Sequence, residues 1–121
     1  MELYTIALSQ WRKAKERQIK LIDITVKSGL LVFAPEPSVL WAYKRNEVSD
    51  DQYTVLYLER LRGQFRAHPE AFKEFLEQEG PVCVACYCGH GKFCHRHIFV
   101  SFMEEVAEDN GYPLKVCGEI L

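Results

Sequence analysis

At 121 residues, with 48% hydrophobic and 26% charged residues, the chain has the make-up of one globular domain with a sizeable core, which excludes a disordered or low-complexity protein. A formal charge of -2 excludes a general attraction to nucleic acid, so any such binding depends on a local patch such as Trp11-Arg12-Lys13. No stretch has the length of a membrane span or the layout of a signal peptide, and five cysteines, mostly in one cluster, suit reduced thiols, so a cytoplasmic protein without a membrane partner is expected.

Leu3 to Leu8 reads as a first strand covered on both faces, ending at Ser9. Gln10 to Gln18 is charged and compatible with a helix. Leu21 to Val26 is a second apolar run, stopped by Lys27-Ser28-Gly29, and Asp23 interrupts it in a way that burial alone does not select. Leu30 to Phe33 suits a strand or the rim of a loop, and Ala34-Pro35-Glu36-Pro37 breaks whatever precedes it.

Ser38 to Lys44 suits a short helix. Ser49-Asp50-Asp51-Gln52 fits a capping box, and Tyr53, Leu56, Tyr57 and Leu61 follow at helical spacing, to about Phe65. Pro69 and Gly80 bracket a further helix over 70–77. Pro81 to Cys88 is a third strand. Cys94 to Asp109 is an amphipathic helix closed by Asn110-Gly111, and Leu114 to Cys117 a last short strand. Apolar strands alternating with helices predict a single three-layer, Rossmann-like α/β domain, with about four mostly parallel strands flanked by helices.

The chemistry concentrates between Cys83 and His97, where four cysteines and three histidines share fifteen residues with Lys92 and Arg96. A strand enters this run, a glycine-bearing loop crosses it and a helix leaves it. Such a loop lies at the carboxyl edge of a parallel sheet, where amide groups at the helix start favour an anion. The predicted pocket uses Gly89, His90, Gly91, Lys92 and Arg96, the last as a planar fork, with Ser9 as a second phosphate ligand or a helix cap. Against this stand an Arg96 that only pairs with a carboxylate and glycines that only serve the turn.

Three cysteine chemistries compete. Tyrosine-phosphatase spacing is excluded, because Cys88 lies eight residues before Arg96 and Cys94 only two. Cys83 and Cys86 face opposite sides of a strand, which excludes a thioredoxin-like pair. Cys88 and Cys94 are better placed as nucleophiles or a reversible pair, the alternative being small buried hydrophobes. Zinc held by Cys86, Cys88, Cys94, His90, His95 or His97 is the third option, although one tight cluster fits the usual pair of knuckles poorly. Asp23 orients a hydroxyl, a metal or a histidine, or else accepts amide protons from a neighbouring loop.

Tyr4 to Ser9, Leu21-Ile22-Asp23, Ala34 to Ser38 with Trp41-Ala42-Tyr43-Lys44, and above all Cys86-Tyr87-Cys88 followed by Phe93-Cys94-His95-Arg96 make the chain resemble the bacterial and phage family called domain of unknown function 488. The resemblance implies a small Rossmann-type domain in which Asp23, Cys86, Cys94, His95 and Arg96 line one site. Two departures are visible. An arginine usual near the end of the second strand is Thr25 or Val26 here, and the acidic residue two after the first cysteine is Cys88.

The sequence therefore predicts binding or processing of a phosphorylated small molecule, a nucleotide or a nucleic-acid end. Cys94 or Cys88 is the candidate nucleophile, His95 or His90 the proton carrier, and no cofactor is implied. The alternative is a non-enzymatic interaction module with a metal-binding or redox-sensing Cys/His loop.

Overall fold

The computed structural model describes residues 1–88 and 93–121. In chain order these form β1 (Glu2–Ala7), a 3-10 turn (Leu8–Gln10), α1 (Trp11–Glu16), β2 (Lys20–Asp23), α2 (Pro37–Lys44), α3 (Asp50–Ala67), α4 (Pro69–Leu76), β3 (Pro81–Cys86), α5 (His95–Asn110) and β4 (Lys115–Ile120). The sheet runs β2-β3-β1-β4 with every pairing parallel. This is the expected three-layer, Rossmann-like α/β architecture.

Alternation along the strands distributes side chains between two cores of unequal size. Leu3, Val82 and Val84 join Tyr53, Tyr57, Leu61, Phe72 and Phe99 from the helices in the larger core. Ile6, Cys83, Ala85 and Ile120 join Ala14 of α1 in the smaller one. The chain passes from β1 to edge strand β2 by way of α1, and returns on the opposite face. A right-handed crossover requires that exchange of faces when the direction of travel reverses. Because β1 and β3 are neighbours and their outgoing segments leave to opposite faces, their carboxyl ends mark the topological switch point of the sheet.

Local signals account for most element boundaries. Ser49 caps α3, its Oγ accepting from Gln52 N at 3.1 Å while Gln52 Oε1 accepts from Ser49 N at 2.9 Å. His68 is shared between the end of α3 and the start of α4, where Pro69 fixes the new helix. Leu30 to Phe33 is turn rather than strand. Arg60 holds that segment from α3, donating to Ala34 O at 2.7 Å, Leu31 O at 3.2 Å and Glu36 at 3.0 Å.

Two strands differ from expectation. The second ends at Asp23 rather than Val26, because Asp23 Oδ1 accepts from Thr25 N at 2.8 Å and turns the chain. The last runs from Lys115 to Ile120 rather than stopping at Cys117. Leu3 pairs with Val116 and Tyr4 with Gly118, so Cys117 is the extra residue of a bulge and Gly118 takes the positive φ of 87°. Cys117 is accordingly half-exposed.

Candidate functional site

β3 delivers Cys86 to its carboxyl end, on the side of Val82 and Val84, and α5 begins nine residues later at His95. Cys94 is the N-cap of this 16-residue helix, in extended backbone and without a side-chain capping bond. Cys86 and Cys94 are joined as a disulfide. The Sγ atoms of Cys86, Cys88 and Cys94 all lie within 4.8 Å of one another. Cys86 and Cys94 are buried and Cys88 is half-exposed, so the cluster has one open side.

His95 is buried against this cluster. Its Nε2 lies 2.9 Å from the Ile24 carbonyl oxygen, which can only accept, so the proton belongs on Nε2. The Nδ1 lone pair then faces Cys94 Sγ at 3.7 Å. The ring of Tyr57 meets the imidazole edge to face, with centroids 5.6 Å apart. Burial lowers the His95 pKa to about 4 and outweighs the Ile24 carbonyl and Asp23, which favour the charged ring. His95 is therefore neutral at physiological pH.

Arg96 is fully buried, yet its described hydrogen bonds go to the protein itself. Nε donates to Glu119 Oε1 at 2.6 Å, and Nη1 donates to Cys86 Sγ and to Cys88 O, each at 3.0 Å. Glu119 also accepts from Thr5 Oγ1 at 3.2 Å and lies 3.7 Å from His97 Nε2. Glu119 lies beyond the strand over 114–117 that the sequence predicts, so it was not among the expected site residues. The signal was the one applied to Asp23, a carboxylate flanked by strand residues.

Asp23 takes the structural role named for it, accepting from Thr25 N and from Ser28 Oγ at 2.5 Å, with Ser28 in turn 2.8 Å from Tyr87 OH. It still acts on the site through its field at His95. Ser9 is exposed in the 3-10 turn, and Gln10, not Ser9, is the N-cap of α1, so the capping reading does not hold. Gly89, His90, Gly91 and Lys92, expected to complete the anion loop, lie outside the described residues.

Tyr43 and Tyr53 lie within electrostatic reach of Cys88. Phe93 packs on Tyr43 and Tyr53 with centroids 5.4 and 5.7 Å apart. Tyr43 OH donates to Asp50 at 2.5 Å, which raises its pKa to about 12. Trp41 is open to solvent, whereas Tyr43 is half-buried. Cys83 sits in the other core, where burial pushes its thiol up to about 11. Among the described residues no helix is long and apolar enough to cross a membrane.

No curated protein and no solved structure matches the chain significantly. The family model DUF488-N3a, described as the active DUF488-N3 subclade, matches residues 8–107. That span includes Asp23, the three clustered cysteines, His95 and Arg96, and leaves out Thr5 and Glu119. A match over most of the length, centred on the residues that converge at the end of β3 and the start of α5, means that the chain belongs to the DUF488-N3a family.

Proposed function

We propose that the chain binds and processes a phosphorylated small molecule, a nucleotide or a nucleic-acid end by thiol chemistry at the carboxyl ends of β1 and β3. The observation that carries this reading is the array Cys94–His95–Ile24. A thiol at a helix N-cap is favoured as thiolate by the helix dipole. Beside it stands a neutral imidazole whose acceptor nitrogen is turned toward the sulfur by a backbone carbonyl. Nucleophile, base and orienting group thus follow the usual order of an activated nucleophile.

In this reading the amides of the first turn of α5 hold the phosphate oxygens, and Cys94, its thiol proton passing to His95 Nδ1, attacks phosphorus. An S–P bond forms as the P–O bond to the leaving alcohol breaks, and His95 returns the proton to that alcohol. Arg96 keeps Cys86 and the Cys88 carbonyl in place, and Asp23 orients the loop that follows β2. The disulfide is the resting form. A small thiol or phosphine reductant supplies two electrons, and with two protons Cys86 and Cys94 become thiols. The description of the matched subclade as active agrees with a reacting site.

The test is the alkylation rate of each cysteine in the reduced, native protein, followed by mass spectrometry. Cys94 is expected to react at least about tenfold faster than half-exposed Cys117 at neutral pH. A nucleotide or sugar phosphate that binds is expected to slow Cys94 alone. Equal rates at Cys94 and Cys117, unaffected by His95→Gln, would overturn the reading.

A further inference from the structure

We infer that the reduced protein binds a thiophilic divalent cation, zinc in the first instance, through Cys86, Cys88 and Cys94. This goes beyond the proposed chemistry and does not rest on it, since it needs only the lone pairs and not an attack by Cys94. Four features of the site support it.

The first is spacing. Zinc binds thiolate sulfur at about 2.3 Å, so sulfurs sharing one tetrahedral ion lie about 3.5–4 Å apart. The three Sγ atoms already lie within 4.8 Å of each other. A strand end supplies Cys86, the following bend Cys88 and a helix cap Cys94, so three different local structures within one short run bring the sulfurs together.

The second is the histidine. A zinc-ligating imidazole typically donates its other ring N–H to a carbonyl or carboxylate, which fixes the tautomer. His95 has that second bond to Ile24 O at 2.9 Å, and its Nδ1 is 3.7 Å from Cys94 Sγ. The imidazole thus stands beside Cys94, next to the three-sulfur cluster, with its tautomer already fixed.

The third is charge. Three thiolates and one divalent cation leave a net negative unit in a buried place. Arg96 Nη1 stands 3.0 Å from Cys86 Sγ, and the positive end of α5 points at the same group. Both favour an anionic cluster over three neutral thiols.

The fourth is access, since half-exposed Cys88 gives the ion a way in while Cys86 and Cys94 exclude water from it. Loading begins when a phosphine or thiol reductant cleaves the Cys86–Cys94 bond, giving two thiols. Each thiol then loses its proton to solvent as zinc binds. Metal and disulfide are alternative states of the same sulfurs, and either one silences Cys94.

The full-length chain, reduced with a phosphine and freed of metal by a chelator, is titrated with zinc and with cobalt(II) and analysed by elemental mass spectrometry after desalting. About one ion per chain is expected, with strong thiolate-to-cobalt charge-transfer absorption in the near ultraviolet. Reoxidation is expected to expel the ion. Cys88→Ser, at a half-exposed position that leaves the core intact, is expected to lower affinity at least about tenfold, whereas Cys117→Ser leaves it unchanged. Reduced wild type that retains no stoichiometric metal, or a Cys88→Ser variant that binds as tightly as wild type, overturns the inference. Alkylation of Cys94 in the metal-free protein reports the proposed chemistry separately, so each idea can fail alone.

Discussion

Arg96 and Glu119, 23 residues apart, meet with Nε 2.6 Å from Oε1, and this contact ties the start of α5 to β4. Through the same two side chains α5 also reaches β3 at Cys86 and β1 at Thr5. The guanidinium is fully buried and the carboxylate nearly so, which makes each dependent on the other. Breaking such a pair from one side leaves an uncompensated buried charge and costs about 3–5 kcal/mol. Arg96→Met and Glu119→Leu are each expected to lose about that much in urea unfolding. The double variant recovers a good part of the loss. Single variants within 0.5 kcal/mol of wild type, roughly the value of a surface change, would show the pair to be energetically idle.

The neutral state of His95 sets a pH dependence. Its folded pKa of about 4 lies below the value near 6.5 of an unfolded chain. The unfolded state therefore binds more protons between those values, and stability rises as pH goes from 4 to 6.5, then levels off. The full contribution is about 3 kcal/mol. Unfolding curves at several pH values, wild type against His95→Gln, measure it. A histidine in position 95 titrating near 6.5 by NMR would contradict the buried neutral ring.

Gly29 is required by close approach. A Cβ there would overlap the Asp23 carbonyl oxygen and the Thr25 amide, while Leu30 N donates to Asp23 O at 2.9 Å across the same gap. Gly29→Ala is expected to destabilise the protein by about 1–3 kcal/mol. It is also expected to speed hydrogen exchange at Thr25 and Leu30 in particular. Unchanged exchange at both amides would show that the turn tolerates the methyl group.

Tyr57 separates packing from hydrogen bonding. Its hydroxyl donates to Phe33 O at 2.5 Å inside the core, and its ring stays against His95. Tyr57→Phe keeps the ring and leaves a buried carbonyl unpaired, an expected cost of about 1–3 kcal/mol. Tyr57→Leu also removes the edge-to-face contact. The alkylation rate of Cys94 is expected to change only in the second variant.

Signals confined to a few residues were legible in advance. The Ser49–Gln52 box, the Pro69 start and the glycines at 80 and 111, with φ of 79° and 73°, act through neighbours in the chain, so composition and spacing carry them. The grouping of Cys86, Cys94, His95 and Arg96 was legible for the same reason, since one strand-loop-helix junction holds them all. The end of β2 was not, because Ile24 and Val26 prolong the apolar run after Asp23 has turned the backbone.

What the sequence determined by itself is the alternation of elements and the concentration of thiols and imidazoles at one junction. Tertiary structure alone decided that Arg96 answers to Glu119, that His95 is held by Ile24, and that Cys88 joins Cys86 and Cys94 within reach of a single ion. The reason is physical. Caps and periodicities depend on contacts a few residues apart, whereas a buried charge finds its partner through the order of strands in the sheet, which no local pattern specifies.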